Sequence, residues 1–435
     1  MNRIENIFRR ETELLRFSTA GSVDDGKSTL IGRLLVDSKG IFEDQLEAAK
    51  RFNERKGGKG LDLALLTDGL AAEREQGITI DVAYRYFATP KRRFIIADTP
   101  GHEQYTRNMV TGASTAHLAI VLVDARKGLL PQSRRHAYIA ALLGTPHIVV
   151  AVNKMDLVGY SEQSYEKIKR EFSAFFDKLE IAHGEARFIP ISALAGDMVA
   201  GRGANMPWYR GKTLLETLEN VDVKCRREHR AFRFPVQWVS RPQTPEMHDF
   251  RGYMGRIESG SVKAGDEIVV LPSGRTSRIR EIVTYDGSLE KAVAPLSVAL
   301  TIEDDIDIAR GDMIAHRDAA PQVTRAFDAM LCWMGETPLA LGRNYYIKHA
   351  TRTVKAVIEK IEYKVDIHTL EKAGATAGLG MNEIGRASFR LFNPLACDAY
   401  EDNRAGGGFI VIDEFSNETV AAGMICRARP AGMAS

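Results

Sequence analysis

The chain is poor in cysteine. It has 4 cysteines in 435 residues, at positions 225, 332, 397 and 426, and none of them forms a Cys-x-x-Cys pair. Such wide spacing disfavours a disulfide framework or a structural zinc site and is typical of thiols in a reducing compartment. No apolar run reaches the ~20 residues needed to cross a bilayer, and the first ten residues are too charged for a secretory signal. These absences predict a cytoplasmic protein with no membrane partner.

A strong excess of one charge is also missing. The 59 lysines and arginines balance 57 aspartates and glutamates, for a formal net charge of +2. A nucleic-acid partner is therefore disfavoured by the overall charge, although a local basic face remains compatible with it. Hydrophobic residues make up 44% and charged residues 27% of the chain, the balance of a globular protein with room for two to four domains.

The most informative stretch is Gly21 to Ser28, which fits the phosphate-loop pattern Gly-x-x-x-x-Gly-Lys-[Ser/Thr]. A short predicted strand enters it and a predicted helix leaves it, as the motif requires. Gly21 and Gly26 let the backbone approach phosphates closely. Lys27 is predicted to reach the β- and γ-phosphate oxygens, and the Ser28 hydroxyl is predicted to bind Mg²⁺.

A long charged stretch, residues 37–76, follows the loop helix and ends at Gly-Ile-Thr-Ile, residues 77–80. We predict two helical pieces joined by a mobile turn. The hydroxyl of Thr79 can bind Mg²⁺ in the presence of a γ-phosphate and release it after hydrolysis, as in a switch. A threonine between two isoleucines is equally consistent with an ordinary strand residue.

Two strands then form a predicted hairpin that ends at Asp98-Thr99-Pro100-Gly101-His102. Asp98 is placed to hold the Mg²⁺ shell, and the Gly101 N–H to bond the γ-phosphate. His102 is predicted to orient the attacking water. A single histidine is more often structural, and the neighbouring residues favour the functional interpretation.

Two continuous apolar runs, residues 117–124 and 146–152, are typical of central parallel strands buried on both faces. The second leads into Asn153-Lys154-Met155-Asp156. One carboxylate can accept hydrogen bonds from both the N1–H and the 2-amino group of guanine, so Asp156 is predicted to select the base. Asn153 is expected to brace the loop and the Lys154 stem to cover the purine. Backbone N–H groups of Ser192, Ala193 and Leu194 are candidates for guanine O6.

These loops each follow an apolar strand, and they are therefore expected to converge at the carboxyl edge of one parallel sheet. The predicted catalytic residues are Lys27, Thr79, Gly101 and His102, and the predicted metal ligands are Ser28, Thr79 and Asp98. The predicted nucleotide contacts are Gly21, Ser22, Val23, Asp24, Asp25, Gly26, Lys27, Ser28, Thr29, Asp98, Thr99, Pro100, Gly101, His102, Asn153, Lys154, Met155, Asp156, Ser192, Ala193 and Leu194.

The predicted fold class is an α/β phosphate-loop domain with a mostly parallel sheet, followed by two antiparallel β-barrels. The α/β domain spans residues 15–223, because helical periodicity then gives way to short alternating runs broken by turn residues. The barrels are assigned to residues 230–320 and 325–428 and interpreted as binding and positioning modules. Residues 1–14 form an arm that docks either on this chain or on a partner.

Together these motifs resemble those of translation-factor GTPases of the elongation factor Tu type, and the resemblance runs from about residue 15 to 425. It implies GTP/GDP as the bound nucleotide, with Mg²⁺. The phosphate loop departs from the common Gly-His-Val-Asp-His-Gly-Lys pattern, because Ser22 and Asp25 stand at the two histidine positions.

Asp25, together with residues 65–70 and 81–87, is similar to a narrower family, the GTPase large subunit of bacterial sulfate adenylyltransferase (ATP sulfurylase). Membership implies a heterodimer or higher heteromer with a small catalytic subunit, which makes adenosine 5′-phosphosulfate and pyrophosphate from ATP and sulfate. GTP hydrolysis would drive this unfavourable reaction. Some members continue into an adenylylsulfate kinase domain. The chain shows no second phosphate loop, so we do not expect that activity here.

Two other interpretations stay open at this point. One is a translation factor that carries RNA and uses GTP as a timing switch; Asp25 and the near-neutral charge count against it. The other is a regulatory GTP-binding module with negligible hydrolysis, which His102 disfavours.

Overall fold

The computed structural model describes residues 14–40, 47, 51, 63–66, 81–102, 105–179, 186–223, 229–242, 250–367 and 369–429. The chain divides into two compact units. The first contains residues 1–224 with 367–370, and the second contains 225–366 with 371–435.

The first unit is built on a six-stranded sheet. Its strands are β1 (Leu14–Ala20), β2 (Ala83–Ala88), β3 (Arg93–Asp98), β4 (Leu118–Asp124), β5 (His147–Asn153) and β6 (Ala186–Pro190). Their spatial order is β2-β3-β1-β4-β5-β6, with β2 antiparallel to β3 and the other neighbours parallel. The predicted mostly parallel sheet is confirmed, and the carboxyl ends of its five parallel strands share one edge.

The central position of β4 in the sheet explains why this strand is buried. Every residue of this strand is buried, including the terminal Asp124, because strands pair on both sides of it and helices contact the sheet. Among the described residues of this unit, the helices are α1 (Lys27–Asp37), α2 (Thr106–Ser114), α3 (Pro131–Leu142), α4 (Glu162–Asp177) and α5 (Leu214–Asn220), with 3₁₀ turns at Leu63–Leu66 and Met155–Val158.

Helix starts follow local chemistry. The Ser161 side chain accepts a hydrogen bond from the Ser164 N–H at the start of α4. Thr213 and Glu216 form a reciprocal capping box at the start of α5.

Apart from 47, 51 and 63–66, the part of the predicted switch stretch (residues 37–76) beyond residue 40 lies outside the described residues, and so does Thr79.

The second unit begins with an antiparallel barrel. Its strands are β7 (Arg233–Ser240), β8 (Gly252–Arg256), β9 (Ser261–Lys263), β10 (Glu267–Leu271), β11 (Arg275–Thr284), β12 (Gly287–Leu289), β13 (Lys291–Val293), β14 (Ser297–Ile302) and β15 (Met313–His316). Six of them run in the order β10-β15-β7-β8-β14-β11, and β11 pairs back with β10 to close the barrel. Closure encloses apolar side chains such as Phe234, Ile268 and Leu300, none of which is exposed.

A second closed barrel follows. It consists of β16 (Gln322–Trp333), β17 (Asn344–His349), β18 (Arg352–Val365), β19 (Lys372–Ala373), β20 (Ile384–Cys397), β21 (Gly408–Asp413) and β22 (Thr419–Arg429), with a short helix α6 (Arg404–Gly407) and a 3₁₀ turn at Arg317–Ala319. The order is β17-β21-β22-β16-β20-β18, and β17 closes it on β18. The predicted succession of an α/β domain and antiparallel β-barrels is confirmed. The sequence patterns did not predict the short strands β9, β12, β13, β15 and β19 or the long strand β22.

In the part of the chain that the structure describes, no helix is both long and apolar enough to cross a membrane.

Candidate functional site

The phosphate loop lies between β1 and α1, where the backbone must turn sharply. Gly26 has a φ of 92°, in the left-handed region that favours glycine. A Cβ at this position would lie 2.5 Å from Nδ2 of Asn153. Gly26 is therefore required both by its backbone conformation and by the close approach of the asparagine loop.

Lys27 is buried under this loop. Its Nζ donates to the carbonyl oxygens of Gly21 and Ser22 at 3.0 and 3.3 Å. Burial lowers the pKa of Lys27, and the charges of Asp98 and Asp25 oppose that effect. A phosphate group beside this buried cation would stabilise its charged form. The arrangement thus fits a polyphosphate ligand.

Asp25 closes the loop on itself. Its Oδ2 accepts a hydrogen bond from the Ser22 N–H at 2.7 Å. Its Oδ1 is buried and has no partner among the described residues. Burial raises the pKa of Asp25 from 3.8 to about 6, although the Ser22 N–H and the Lys27 charge oppose the increase.

We expect Asp25→Asn to stabilise the nucleotide-free protein at neutral and alkaline pH. Because the pKa is raised in the folded state, the wild-type carboxyl loses stability as the pH rises from about 4 to about 6. Two pKa units correspond to about 3 kcal/mol, which is the upper limit of the gain. The amide oxygen can still accept from Ser22.

Thermal unfolding midpoints of the wild type and the variant, compared from pH 8 to pH 4.5, test this. The advantage of the variant should stay constant above about pH 6 and shrink below it. Asp24→Asn is the matched control, because the Asp24 side chain is exposed. An Asp25→Asn variant that is no more stable than wild type at pH 8 would contradict the prediction.

The end of β3 lies beside the end of β1. Thr19 pairs with Asp98 across these strands, and the Thr19 hydroxyl donates to Asp98 Oδ1 at 3.2 Å. Thr99 is also buried, and its hydroxyl donates to the Thr19 carbonyl at 2.6 Å. These contacts hold a buried carboxylate at the edge of the sheet, next to the phosphate loop.

Gly101 packs tightly against that loop. A Cβ on Gly101 would lie 2.3 Å from Lys27 Nζ and 2.5 Å from the Gly21 carbonyl oxygen. The next side chain, His102, is exposed, and its ring lies 6.1 Å from the Tyr105 ring between centroids. The backbone is therefore fixed at Gly101 while the histidine faces outward.

Asn153 joins three loops of the site. Its Nδ2 donates to the Asp25 carbonyl at 2.8 Å, and its Oδ1 accepts from the Ala193 N–H at 3.0 Å. The Ser192 hydroxyl donates to Asp156 Oδ1 at 2.7 Å. The half-buried Asp156 carboxylate is thus oriented by a neighbouring loop, in an arrangement suited to reading the edge of a base.

The loop after β6 is itself braced. The N–H of Ser192 donates to the Asp197 carbonyl at 3.1 Å, so this amide and that of Ala193 already have protein acceptors. Arg33, from α1, donates to the carbonyls of Ala193 and Leu194. No sequence motif pointed to Arg33, because its partners lie about 160 residues further along the chain.

The Lys154 ammonium group contacts two residues from other loops of the site. Its Nζ donates to the Asp24 carbonyl and lies 3.1 Å from Asp124 Oδ2. Burial raises the pKa of Asp124, but hydrogen bonds from Arg126 and Lys154 outweigh it and hold that pKa well below its usual range. The sequence reasoning assigned no role to Asp124, although a carboxylate ending a buried strand is a usable signal. Met155 is fully buried beneath this loop.

The oxygen donors of the site suit a magnesium ion. Hydroxyl and carboxylate oxygens are what this hard cation prefers, and Ser28 and Asp98 supply them at the start of α1 and the end of β3. Thr79, the third predicted ligand, lies outside the described residues.

Three other predicted nucleotide contacts also belong to these loops: Val23 and Thr29 are half-buried, and Pro100 is buried.

Comparison with known proteins agrees with this geometry. The family model "Elongation factor Tu GTP binding domain" matches residues 12–223, and "GTP-eEF1A C-terminal domain-like" matches residues 326–426. Sulfate adenylyltransferase subunit 1 of Chromobacterium violaceum is 56% identical over 416 residues, which cover 95% of this chain and 86% of that protein.

Two further relatives extend the comparison. Sulfate adenylyltransferase subunit 1 of Colwellia psychrerythraea is 54% identical over 415 residues, 95% of this chain and 88% of that protein. The bifunctional enzyme CysN/CysC of Mycobacterium tuberculosis is 54% identical over 417 residues, 96% of this chain and 68% of that protein. With its GTP-binding domain and this identity over most of its length, the chain belongs to the sulfate adenylyltransferase subunit 1 family.

Proposed function

We propose that this chain hydrolyses GTP to drive the formation of adenosine 5′-phosphosulfate and pyrophosphate from ATP and sulfate on a small catalytic partner subunit. Family membership supports the reaction. The observation that carries the GTPase part is the convergence of the phosphate loop, the Asp98 to His102 segment and the Asn153 and Ser192 loops at one sheet edge.

The hydrolytic step relies on groups that the fold holds in place before GTP binds. Lys27 and the backbone N–H groups of the loop would stabilise charge on the β- and γ-phosphate oxygens, and Gly101 would present its N–H to the γ-phosphate. Ser28, Asp98 and Thr79 would hold Mg²⁺, which would supply further neutralisation of the same charge. His102 would orient the attacking water from the exposed side.

Base selection would follow from the braced loop. Asp156 accepts from two guanine donors, while the Ser192 hydroxyl keeps its carboxylate in the required rotation. The Lys154 stem, anchored at Asp124, would lie along the purine face.

Energy coupling places a condition on the partner. A partner that binds the GTP and GDP states equally well cannot receive free energy from hydrolysis, because a ligand shifts an equilibrium only by its differential affinity. The catalytic subunit must therefore contact a part of this chain that differs between the two states. We propose that this contact lies on residues 68–81, the segment around Thr79, and on the barrels.

The decisive test is GTP turnover by the purified chain alone and with the small sulfurylase subunit, with and without ATP and sulfate. We expect partner, ATP and sulfate together to stimulate GTP turnover, with GTP-dependent formation of adenosine 5′-phosphosulfate, and we expect no such stimulation when any one of the three is left out.

Two results would count against the proposal. An RNA-carrying factor would be favoured if GTP turnover did not respond to the partner and its substrates but increased with ribosomes. A tight, salt-dependent complex with aminoacyl-tRNA would favour the same interpretation. Slow turnover under every partner condition would favour a regulatory GTP-binding module.

A further inference from the structure

Helix α3 contacts the Gly101 backbone through one side chain. Gln132, in its first turn, donates from Nε2 to the Gly101 carbonyl oxygen at 3.1 Å. The other end of the same amide, Oε1, accepts from Arg135 NH1 at 3.3 Å. The side chain is half-buried, and its partners lie 31 residues back along the chain and one helical turn ahead.

These two contacts determine which way the amide points. If its oxygen and nitrogen exchanged places, two donors would face each other at Arg135 and two acceptors would face each other at Gly101. Arg135 therefore keeps the Gln132 N–H₂ directed at the Gly101 carbonyl.

The Gly101 carbonyl belongs to the peptide unit that carries the N–H of His102. Because a peptide unit is planar, holding its oxygen fixes the backbone where His102 leaves the loop. On the other side, Gly101 is pressed so closely against Lys27 Nζ and the Gly21 carbonyl that no Cβ fits. Gly101 is thus held between the phosphate loop and α3, with the exposed His102 next in the chain.

We propose that Gln132, oriented by Arg135, is a positioning residue for His102: by fixing the Gly101–His102 peptide it presents the imidazole to the attacking water. Gln132 itself touches no reacting atom. This inference rests on the proposed GTPase function, in which His102 orients that water.

The test compares steady-state GTP turnover and GDP affinity of Gln132→Ala, His102→Ala and the double variant. Loss of one hydrogen bond should lower kcat roughly 3- to 10-fold in Gln132→Ala, while GDP affinity stays unchanged. In the His102→Ala background the same change should have no further effect, because the two residues act through one step.

Two additional variants sharpen the experiment. Gln132→Glu keeps the shape and the Arg135 contact but has no hydrogen to donate to Gly101, so it should lose kcat at least as much as Gln132→Ala. Gln163→Ala, an exposed glutamine on α4, is the matched control and should keep wild-type turnover. Thermal unfolding midpoints verify that each variant is folded.

The outcomes separate this inference from the function on which it rests. Wild-type protein without GTP turnover, or His102→Ala with wild-type turnover, would overturn the proposed chemistry and this inference together. Loss in His102→Ala without loss in Gln132→Ala and Gln132→Glu would overturn the inference alone. The same holds for a Gln132→Ala effect that persists in the His102→Ala background.

Discussion

His102→Ala should leave nucleotide binding intact and reduce GTP turnover by about 10² to 10³, the usual cost of losing one preorganised catalytic contact. The side chain is exposed and follows a glycine held against the phosphate loop, so its removal should leave Lys27 and Gly101 in place. GTP and GDP affinities measured alongside single-turnover hydrolysis check both halves of this expectation.

Replacing His102 with glutamine tests whether the side chain acts by orienting water. Glutamine can also orient an attacking water, as it does in other GTPases, so His102→Gln should retain more turnover than His102→Ala. The exposed His229, in the second unit, provides a matched histidine-to-alanine control. Turnover of His102→Ala at the wild-type level would remove His102 from the mechanism.

Asp156→Asn should convert guanine preference into xanthine preference. The carboxylate accepts from N1–H and the 2-amino group of guanine, whereas an asparagine amide donates toward the 2-position and therefore pairs with the 2-oxo group of xanthine. Two hydrogen bonds to a charged group are worth about 3 to 6 kcal/mol together, so GTP affinity should fall by about 10² to 10⁴ while XTP affinity rises.

Competition of GTP and XTP for the nucleotide-free protein measures this exchange. The Ser192 hydroxyl donates to Asp156 Oδ1 at 2.7 Å and can donate in the same way to the amide oxygen of asparagine, so the loop should keep its shape. Asp177→Asn, at the exposed end of α4, is the control for charge removal. Unchanged selectivity in Asp156→Asn would show that another group reads the base.

Local sequence patterns were sufficient to predict much of the fold of the first unit. The continuous apolar run that became β4 is buried along its whole length, and the glycine at position 26 adopts the left-handed φ that a phosphate loop requires. The barrels were predicted from alternating runs and turn residues. Among the strands that were not predicted, β22 is the longest: its Ala421-Ala422-Gly423 core has low strand propensity, and the strand is defined by pairing with β16 and β21.

The sequence by itself determined the motifs, their order and the class of ligand, because each motif is a short segment whose chemistry is local. Only the tertiary structure decided how the motifs support one another: Asn153 bridges two loops, Arg33 braces the Ser192 loop, and Gln132 holds Gly101. These contacts join residues 31 to 160 positions apart. No local pattern encodes such pairs, because the order of the strands in the sheet determines which loops meet at its edge.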